Sequence, residues 1–175
     1  MVFVRDDAGR DAVERACRDE GLVTAGWREV PVEPGALGAA AAASMPSIEQ
    51  LVLRPPERLD ADEAERRCFR ARRRAERAAG VYVASLSYRT ITYKALCAAD
   101  QLEAFYLDLA DERLAVPFGI FHQRFSTNTE PSWERAQPFR FLCHNGEINA
   151  VAGNVNWMRA REARLGTLDD SVWAP

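Results

Sequence analysis

The sequence DADEAERRCFRARRRAERAAGVYVASL, residues 60–86, decides the predicted fold class, because a helical pattern in it passes directly into a strand pattern. From position 60 to position 79 there is no Gly or Pro, and Ala, Cys and Phe recur at helical spacing among Glu and Arg residues. Gly80 ends this predicted helix. The β-branched and aromatic run at 81–86 then predicts a strand, so helices and strands share one compact segment.

The residues before this segment predict a shorter helix and two strands. An acidic residue at position 6 or 7, apolar residues at 12, 13, 16 and 17, and then Gly21 indicate a short amphipathic helix. Residues 26–32 alternate as a strand does until Pro31 and Pro34 end the pattern. A second strand is predicted over Ser47–Leu53, closed by Pro55 and Pro56.

The residues after it predict further elements of both kinds. We expect residues 89–96 to form a hairpin with 81–86, turning at Ser87, and residues 100–109 to form a short helix. Strands are predicted at 117–126 and 140–143, and a helix at 154–165. Helices at both ends with strands paired between them indicate the α+β class.

Composition sets the broad class of protein. With 175 residues, 47% hydrophobic and 28% charged, the chain has the size and composition of one globular domain. The net charge of -3 gives no support to a nucleic-acid partner. Residues 72–74 are three consecutive arginines, but glutamates interleave with the helix around them, and we interpret this surface as a solvated helix face rather than a nucleic-acid patch.

Cysteine placement and the first residues bear on metal binding and location. Cys17, Cys68, Cys97 and Cys143 are scattered and do not form metal-ligand spacings with either histidine, so we expect no metal site. The start MVFVRDDAGR has no apolar leader behind basic residues, and the alanine-rich run at 35–43 is too short to cross a bilayer. We therefore expect a cytoplasmic chain with reduced thiols and no membrane contact.

Two places carry residue types suited to chemistry. The strand at 140–143 stops at Asn145 and Gly146, where a side-chain amide and an unencumbered backbone N–H could together hold a developing oxyanion, although Asn-Gly is also a common hairpin turn. Arg124 follows an apolar stretch and precedes a loop of small hydrogen-bonding residues. Its guanidinium suits two-point capture of a carboxylate, and a surface salt bridge is the alternative.

Ordered motifs in the last third of the chain resemble a known family. The segments RFSTNT (124–129), PSW (131–133), AQPFR (136–140), HNGEIN (144–149) and NWM (156–158), with His122, are similar to the amidotransferase domain of the glutamate synthase large subunit. SLS (85–87), Arg89 and Thr90, Tyr93 and Lys94, GWREVP (26–31) and the helix at 66–73 extend the resemblance. It covers nearly the whole chain, 1–175, and is strongest over 118–165.

The resemblance implies a class II glutamine amidotransferase with the N-terminal-nucleophile (Ntn) hydrolase fold, an αββα sandwich of antiparallel sheets, here without its N-terminal strands. In that family an N-terminal cysteine attacks the side-chain amide of L-glutamine and releases ammonia. Carried over by motif, Arg124 would hold the glutamine α-carboxylate, and Phe125 and Thr127 would line the pocket. Asn145 and the N–H of Gly146 would form the oxyanion hole.

The chain also departs from the family pattern. It begins with Met1 and Val2 rather than the catalytic cysteine, and we expect the acidic residue that binds the substrate amino group to lie beyond position 175. Gln123 and Glu130 stand where serine and phenylalanine are expected. Cys143 is interpreted as a core thiol, because it and the neighbouring His144 would point to opposite faces of a strand.

We therefore expect a glutaminase segment of a glutamate synthase that is inactive alone. A non-catalytic glutamine-binding or regulatory module is the alternative, and the long motif forms disfavour other class II amidotransferases. The rest of the large subunit, and a small subunit, are the expected partners. The resemblance implies FMN and an iron–sulfur cluster for the full-length parent but no cofactor in this chain, and it leaves the electron donor open. His122 is expected to be a hydrogen-bonding residue at a strand end rather than a general base.

Overall fold

A computed structural model describes residues 1–54, 57, 59–125, 130–139 and 151–162. Its strands are β1 (Val2–Val4), β2 (Thr24–Glu29), β3 (Ser47–Leu53) and β4 (Val81–Val83). Its α-helices are α1 (Asp7–Asp19), α2 (Ala39–Ala43), α3 (Ala61–Ala75), α4 (Leu102–Phe105) and α5 (Val151–Glu162). Short 3-10 turns at Pro34–Ala36, Ala99–Gln101 and Leu107–Ala110 lie between them.

The strands form an antiparallel sheet in the order β2-β3-β1-β4. The chain runs β1-α1-β2, turns back into β3, and then runs β3-α3-β4. Each helical connection therefore returns to the sheet with one strand between the strand it left and the strand it enters. These are two interlocked split β-α-β units. The α+β class is confirmed, and in the described part of the chain these four strands make up one sheet.

Each long helix begins and ends where local chemistry directs it. The Asp6 carboxylate caps α1 by accepting from the Gly9 N–H at 2.9 Å, and Gly21 leaves the helix at a positive φ of 69° that suits glycine. Asp60 caps α3 by accepting from the N–H groups of Asp62 and Glu63, both at 2.9 Å. The predicted helix starting at position 6 or 7 and ended by Gly21 is therefore confirmed. The helix predicted over 60–79 starts as predicted but ends at Ala75 rather than at Gly80, because the chain turns at residues 76–80.

One face of the sheet is covered by α1 and α3. Val2 and Val4 of β1 point to this face. Small residues of α1 and α3 let the two helices pack closely against each other. The buried residues of this layer are Val2, Val4, Val13, Ala16, Cys17, Leu22, Leu51, Cys68, Ala71, Ala75, Val83 and Leu86. The helices and the sheet thus share one apolar core.

Several arginines of α3 are paired with carboxylates. Arg70 binds Glu20 at 2.7 Å, Arg74 binds Glu20 at 3.1 Å, and Arg72 and Arg73 lie 3.8 and 3.7 Å from Glu76. This pairing agrees with the expectation that 72–74 is not a free basic patch, but the three side chains are half-buried rather than solvated.

The other face of the sheet carries an aromatic layer. Phe3 pairs across the sheet with Ile48 and Tyr82, and its ring lies 6.1 Å, edge to face, from that of Trp133. Phe105 and Tyr106, both fully buried, complete the layer, with their ring centroids 4.6 Å apart. The segments 84–110 and 130–139, rather than long helices, cover this face.

A buried ion pair ties α1 to β3. Glu49, only 1% exposed, accepts from the Arg10 Nε at 2.7 Å and Nη2 at 2.6 Å, and also from the Ser47 hydroxyl at 2.7 Å. Hydrogen bonding from Arg10 lowers the pKa of the Glu49 carboxyl below its ordinary value. The two-point contact fixes the helix along the strand.

Several predicted elements differ in the structure. Ser47–Leu53 is a strand as predicted, but the predicted strand at 26–32 covers Thr24–Glu29. The predicted hairpin partner at 89–96 is not a strand, because the Ser85 hydroxyl accepts from the Thr92 N–H and replaces a ladder bond. Residues 117–125 are likewise extended without strand pairing among the described residues. The predicted strand at 140–143 lies outside the described residues.

The helical predictions downstream were partly wrong. The helix expected at 100–109 is broken into Ala99–Gln101, α4 and Leu107–Ala110, since Tyr106 leaves the helical conformation to enter the aromatic core. The helix expected at 154–165 begins earlier, as α5, and its side chains over 152–161 are exposed. Strand β1 and helix α2 were not predicted. Within the described ranges, no helix is long and apolar enough to cross a membrane.

The aromatic layer provides a test of which contacts hold the fold. Replacing the fully buried Phe105 by Ala should lower the free energy of unfolding by about 3–5 kcal/mol, because the ring leaves a cavity against Tyr106 and Trp133. Urea denaturation followed by circular dichroism measures it. The nearby Leu107→Ala, at a residue 49% exposed, is the matched control and should cost below about 1 kcal/mol. Equal losses in the two variants would contradict the assignment of this core.

Candidate functional site

A cavity of about 580 Å³ lies beside the aromatic layer. Residues 89–99 form one side, 114–125 another, and 136–138 a third. Apolar side chains such as Leu102, Val116 and Phe118 line most of it, with Arg89, Lys94 and Arg124 among the charged groups. This volume and this mostly apolar lining with few polar groups are typical of small-molecule sites.

Arg124 and Phe125, two of the predicted substrate-binding residues, both line this cavity. The Arg124 side chain is exposed, and among the described residues it has no hydrogen bond or ion pair. The surface salt bridge that was the alternative interpretation is not found among the described residues, and the carboxylate-binding role of Arg124 stays a prediction. The guanidinium is available to a ligand.

The remaining predicted site residues, Thr127, Asn145 and Gly146, lie outside the described residues. Their roles in the pocket and in the oxyanion hole stay predictions.

The charged groups of the cavity are of one sign. Arg89, Lys94 and Arg124 line it, whereas none of the described lining residues is Asp or Glu. Arg89 is engaged elsewhere, since its Nη2 lies 2.7 Å from an Asp62 oxygen. The exposed Arg124 guanidinium therefore favours a ligand with an anionic group.

His122 lies in the same wall. Its Nε2 atom is buried and, within the part of the chain that the structure describes, has no hydrogen-bond partner. A buried ring nitrogen without a partner is costly, so a polar ligand group in the cavity would be accommodated there. The expected strand end at His122 is absent because residues 117–125 are not in a described strand.

Lys94 is the functional candidate that the sequence analysis missed. It is 2% exposed, and its Nζ donates to the Tyr82 hydroxyl and to the Glu134 carbonyl oxygen, both at 2.7 Å. The rings of Tyr82 and Phe139 each have their centroid 4.6 Å from Nζ. Desolvation by burial lowers the pKa of Lys94 to about 7. Its being the only lysine was visible in the sequence, but nothing there indicated that it is buried.

The cysteines of the described part are not activated nucleophiles. Cys17 and Cys68 are buried in the helix-side core, and burial raises the pKa of each thiol to about 12. Burial also raises the pKa of Cys97, which lines the cavity. Cys143 lies outside the described residues. The described residues bring together no group of three or more His, Cys, Asp or Glu that could hold a metal ion.

Comparison with known proteins places this site in a family context. The model of the family described as "Glutamine amidotransferases class-II" matches residues 3–172. The chain is 45% identical over 165 residues to the glutamate synthase [NADPH] large chain of Azospirillum brasilense, covering 91% of this chain and 11% of the relative. It is 48% identical over 152 residues to the same-named chain of Bacillus subtilis (strain 168), covering 83% and 10%. It is 43% identical over 185 residues to the chloroplastic ferredoxin-dependent glutamate synthase of Oryza sativa subsp. japonica, covering 99% and 11%. The chain thus spans about a tenth of the length of these relatives.

Burial of Lys94 predicts a specific pH dependence of stability. Its pKa is about 7 when folded, against an ordinary value of 10.5, so between these values the unfolded chain binds a proton that the folded chain lacks. Stability from this group therefore rises with pH from about 7 to about 10.5, by at most about 1.4 kcal/mol per pH unit. Tyr82 stays neutral through this window, since burial raises its pKa to about 12.

Urea denaturation of the wild-type chain and of Lys94→Met across this pH range measures the effect. The free energy of unfolding of the wild-type chain, relative to the variant, should increase with pH. A difference that does not change between pH 7 and pH 10 would mean that Lys94 is solvated.

Proposed function

Because this chain belongs to the class II glutamine amidotransferase family, we propose that its cavity binds L-glutamine as part of the glutaminase domain of a glutamate synthase. The observation that carries the proposal is the placement of Arg124. Its guanidinium, unpaired among the described residues, lines an apolar cavity whose described lining contains no carboxylate. A ligand with one carboxylate and a short aliphatic chain suits this arrangement.

The proposed binding mode follows from the charges and the lining. Arg124 donates two parallel N–H bonds to the glutamine α-carboxylate, a geometry that a planar guanidinium provides and an ammonium does not. Phe125, which lines the cavity, and Thr127 are proposed to contact the ligand, and the methylene groups of glutamine are proposed to contact apolar wall residues such as Phe118. The ligand's ammonium group is left for an acidic residue outside the described lining.

The proposed chemistry is transfer of the glutamyl acyl group to a thiol. The nucleophile's α-amino group takes the thiol proton, and the thiolate attacks the side-chain amide carbon of glutamine. The same amino group gives this proton to the amide nitrogen as the carbon–nitrogen bond breaks, and ammonia leaves. A water molecule then hydrolyses the thioester to glutamate and frees the thiol. Asn145 and the N–H of Gly146 are proposed to stabilise the oxyanion in both steps.

The nucleophile for this reaction is proposed to come from outside this sequence. Cys17, Cys68 and Cys97 have thiol pKa values raised by burial, which lowers the thiolate fraction at neutral pH. We accordingly propose that the chain alone binds glutamine without hydrolysing it. In the longer protein the nucleophile's own α-amino group is the proposed base, and FMN, an iron–sulfur cluster and the electron donor belong to other domains.

The second candidate is a glutamine-binding or regulatory module without catalysis, and the raised thiol pKa values favour it equally. The two candidates share the binding site. Only the first requires the rest of a glutamate synthase large subunit, and a small subunit, as partners. Ammonia release separates them. Under the first proposal, joining this chain to a cysteine-initiated segment restores glutaminase activity, whereas under the second it does not. A cytoplasmic location is proposed for either.

Arg124→Lys tests the binding mode directly. Glutamine binding to this chain, measured by isothermal titration calorimetry, should weaken about tenfold, or about 1.4 kcal/mol, because lysine keeps the charge but not the two-point contact. Arg113→Lys is the matched control: Arg113 is 90% exposed and pairs with Asp111 away from the cavity lining. The affinity of the Arg113→Lys chain for glutamine should equal that of the wild-type chain. Equal affinities of the wild-type and Arg124→Lys chains would assign Arg124 to a structural role.

Asn145→Ala tests the oxyanion role in a longer glutamate synthase that contains this sequence. The loss of one donor to the transition state should reduce glutamine-dependent kcat by about a hundredfold, or about 3 kcal/mol, and should leave KM nearly unchanged. Glutamate synthesis from added ammonia bypasses this site and should persist, which verifies folding. An unaltered kcat would make the Asn-Gly pair a turn only.

A further inference from the structure

We propose that Lys94 is a positioning residue that fastens residues 130–139 to the sheet and thereby fixes the cavity wall at 136–138. The part of this inference that concerns glutamine rests on the proposed function; the fastening itself does not. We call residues 130–139 the wall segment.

The contacts of Lys94 reach both halves of the wall segment. Its Nζ donates to the carbonyl oxygen of Glu134 at 2.7 Å and lies 4.6 Å from the centroid of the Phe139 ring. The same nitrogen donates to the hydroxyl of Tyr82 in β4 and lies 4.6 Å from the centroid of that ring. One side chain therefore joins the sheet to two points of the wall segment, five residues apart.

A second attachment, at Trp133, holds the N-terminal half of the wall segment. Trp133 is 2% exposed, packs on Phe3 and Phe105, and donates from Nε1 to the Ala41 carbonyl oxygen at 3.3 Å. Beyond Trp133, the wall residues Ala136, Gln137 and Pro138 line the cavity that also contains Arg124. Lys94 contacts Glu134 and Phe139, the two residues that flank these positions, and Ala136 is itself buried.

The backbone at Lys94 is itself anchored. Tyr106, fully buried, donates its hydroxyl to the Lys94 carbonyl oxygen at 2.7 Å. The aromatic layer thus fixes the residue from which the ammonium group extends. The side chain acts from a rigid base.

The chemistry of the site suits an amine better than an apolar side chain. Two oxygens, the Tyr82 hydroxyl and the Glu134 carbonyl, converge on Nζ, and both the charged and the neutral amine keep enough N–H groups to donate to each. The surrounding charged and titratable groups are Tyr82, Glu134, Arg72 and Glu76. A methionine would fill the same space but leave both oxygens without their donor.

Nuclear magnetic resonance can observe this contact directly, because Lys94 is the only lysine of the chain. A tag-free sample labelled with ¹³C-lysine gives one set of side-chain signals. We expect the Hε signals to be shifted upfield by the two rings, and to shift again when glutamine is added. Hε signals at their unfolded position would overturn the proposal, as would glutamine binding that leaves these signals unmoved.

Hydrogen exchange measures the fastening without any ligand. The N–H groups of Arg135 and Ala136 donate to the Ser132 carbonyl oxygen at 3.2 and 3.1 Å and report on the wall segment. In Lys94→Met these amides should exchange at least tenfold faster, while those of α1 keep their rates. Lys94→Arg, which retains a cation and its donors, should restore part of the protection. Arg113→Met, which removes an exposed cation elsewhere, should have no effect.

Glutamine affinity then separates this inference from the proposed function. If the wild-type chain binds glutamine, Lys94→Met should bind it at least fivefold more weakly. If the wild-type chain does not bind glutamine, the proposed function fails, and hydrogen exchange still decides whether Lys94 fastens the wall. Unchanged exchange of residues 132–139 in a folded Lys94→Met chain would overturn the proposal. If that variant does not fold, the lysine signals of the wild-type chain decide it.

Discussion

The architecture depends on β1, a strand of three residues with both edges paired and both faces buried. Val2, Phe3 and Val4 pair with β3 on one side and with β4 on the other. Because side chains alternate along a strand, Val2 and Val4 contact the helices while Phe3 enters the aromatic layer. This short element therefore holds the two cores together. A shift of the strand by one residue would place the Phe3 ring on the helix face and a valine in the aromatic layer.

The two faces of the sheet differ in how they are covered, and this places the cavity. On one face α1 and α3 present small residues such as Ala16 and Ala71, and the helices pack closely. On the other face large rings project from irregular segments, which satisfy their backbone groups through side chains: the Ser85 hydroxyl accepts from Thr92, and the Tyr106 hydroxyl donates to the backbone at Lys94. The cavity adjoins this second layer, where coverage by loops allows a concave surface.

Charge is distributed unequally between the same two sides. On the helix side, guanidinium groups meet carboxylates, as in the pairs Arg10 with Glu49 and Arg70 with Glu20. The described cavity lining contains the basic residues Lys94 and Arg124 and no carboxylate, and the Lys94 amine donates to the Tyr82 hydroxyl and the Glu134 carbonyl oxygen. The chain's net charge of -3 conceals this separation. The local absence of carboxylates from the described cavity lining is thus a property of one surface and not of overall composition.

The sequence by itself determined where the long helices begin, the family motifs and the prediction that Arg124 binds a carboxylate. Capping residues, helical periodicity and ordered motifs are all local features of a sequence. Asp6, Asp60 and Gly21 act on their immediate neighbours, so α1 and α3 were predictable. Tertiary structure decided the rest. Strand β1 is too short to show an alternating pattern. In the segment at 89–96, a hydrogen bond from the Thr92 N–H to the Ser85 hydroxyl replaces a strand–strand hydrogen bond. The helix near position 100 breaks so that Tyr106 can be buried. The groups around the Lys94 amine come from Tyr82, 12 positions before it, and from Glu134 and Phe139, 40 and 45 positions after it. No local pattern encodes such contacts, since burial is set by which distant segments meet.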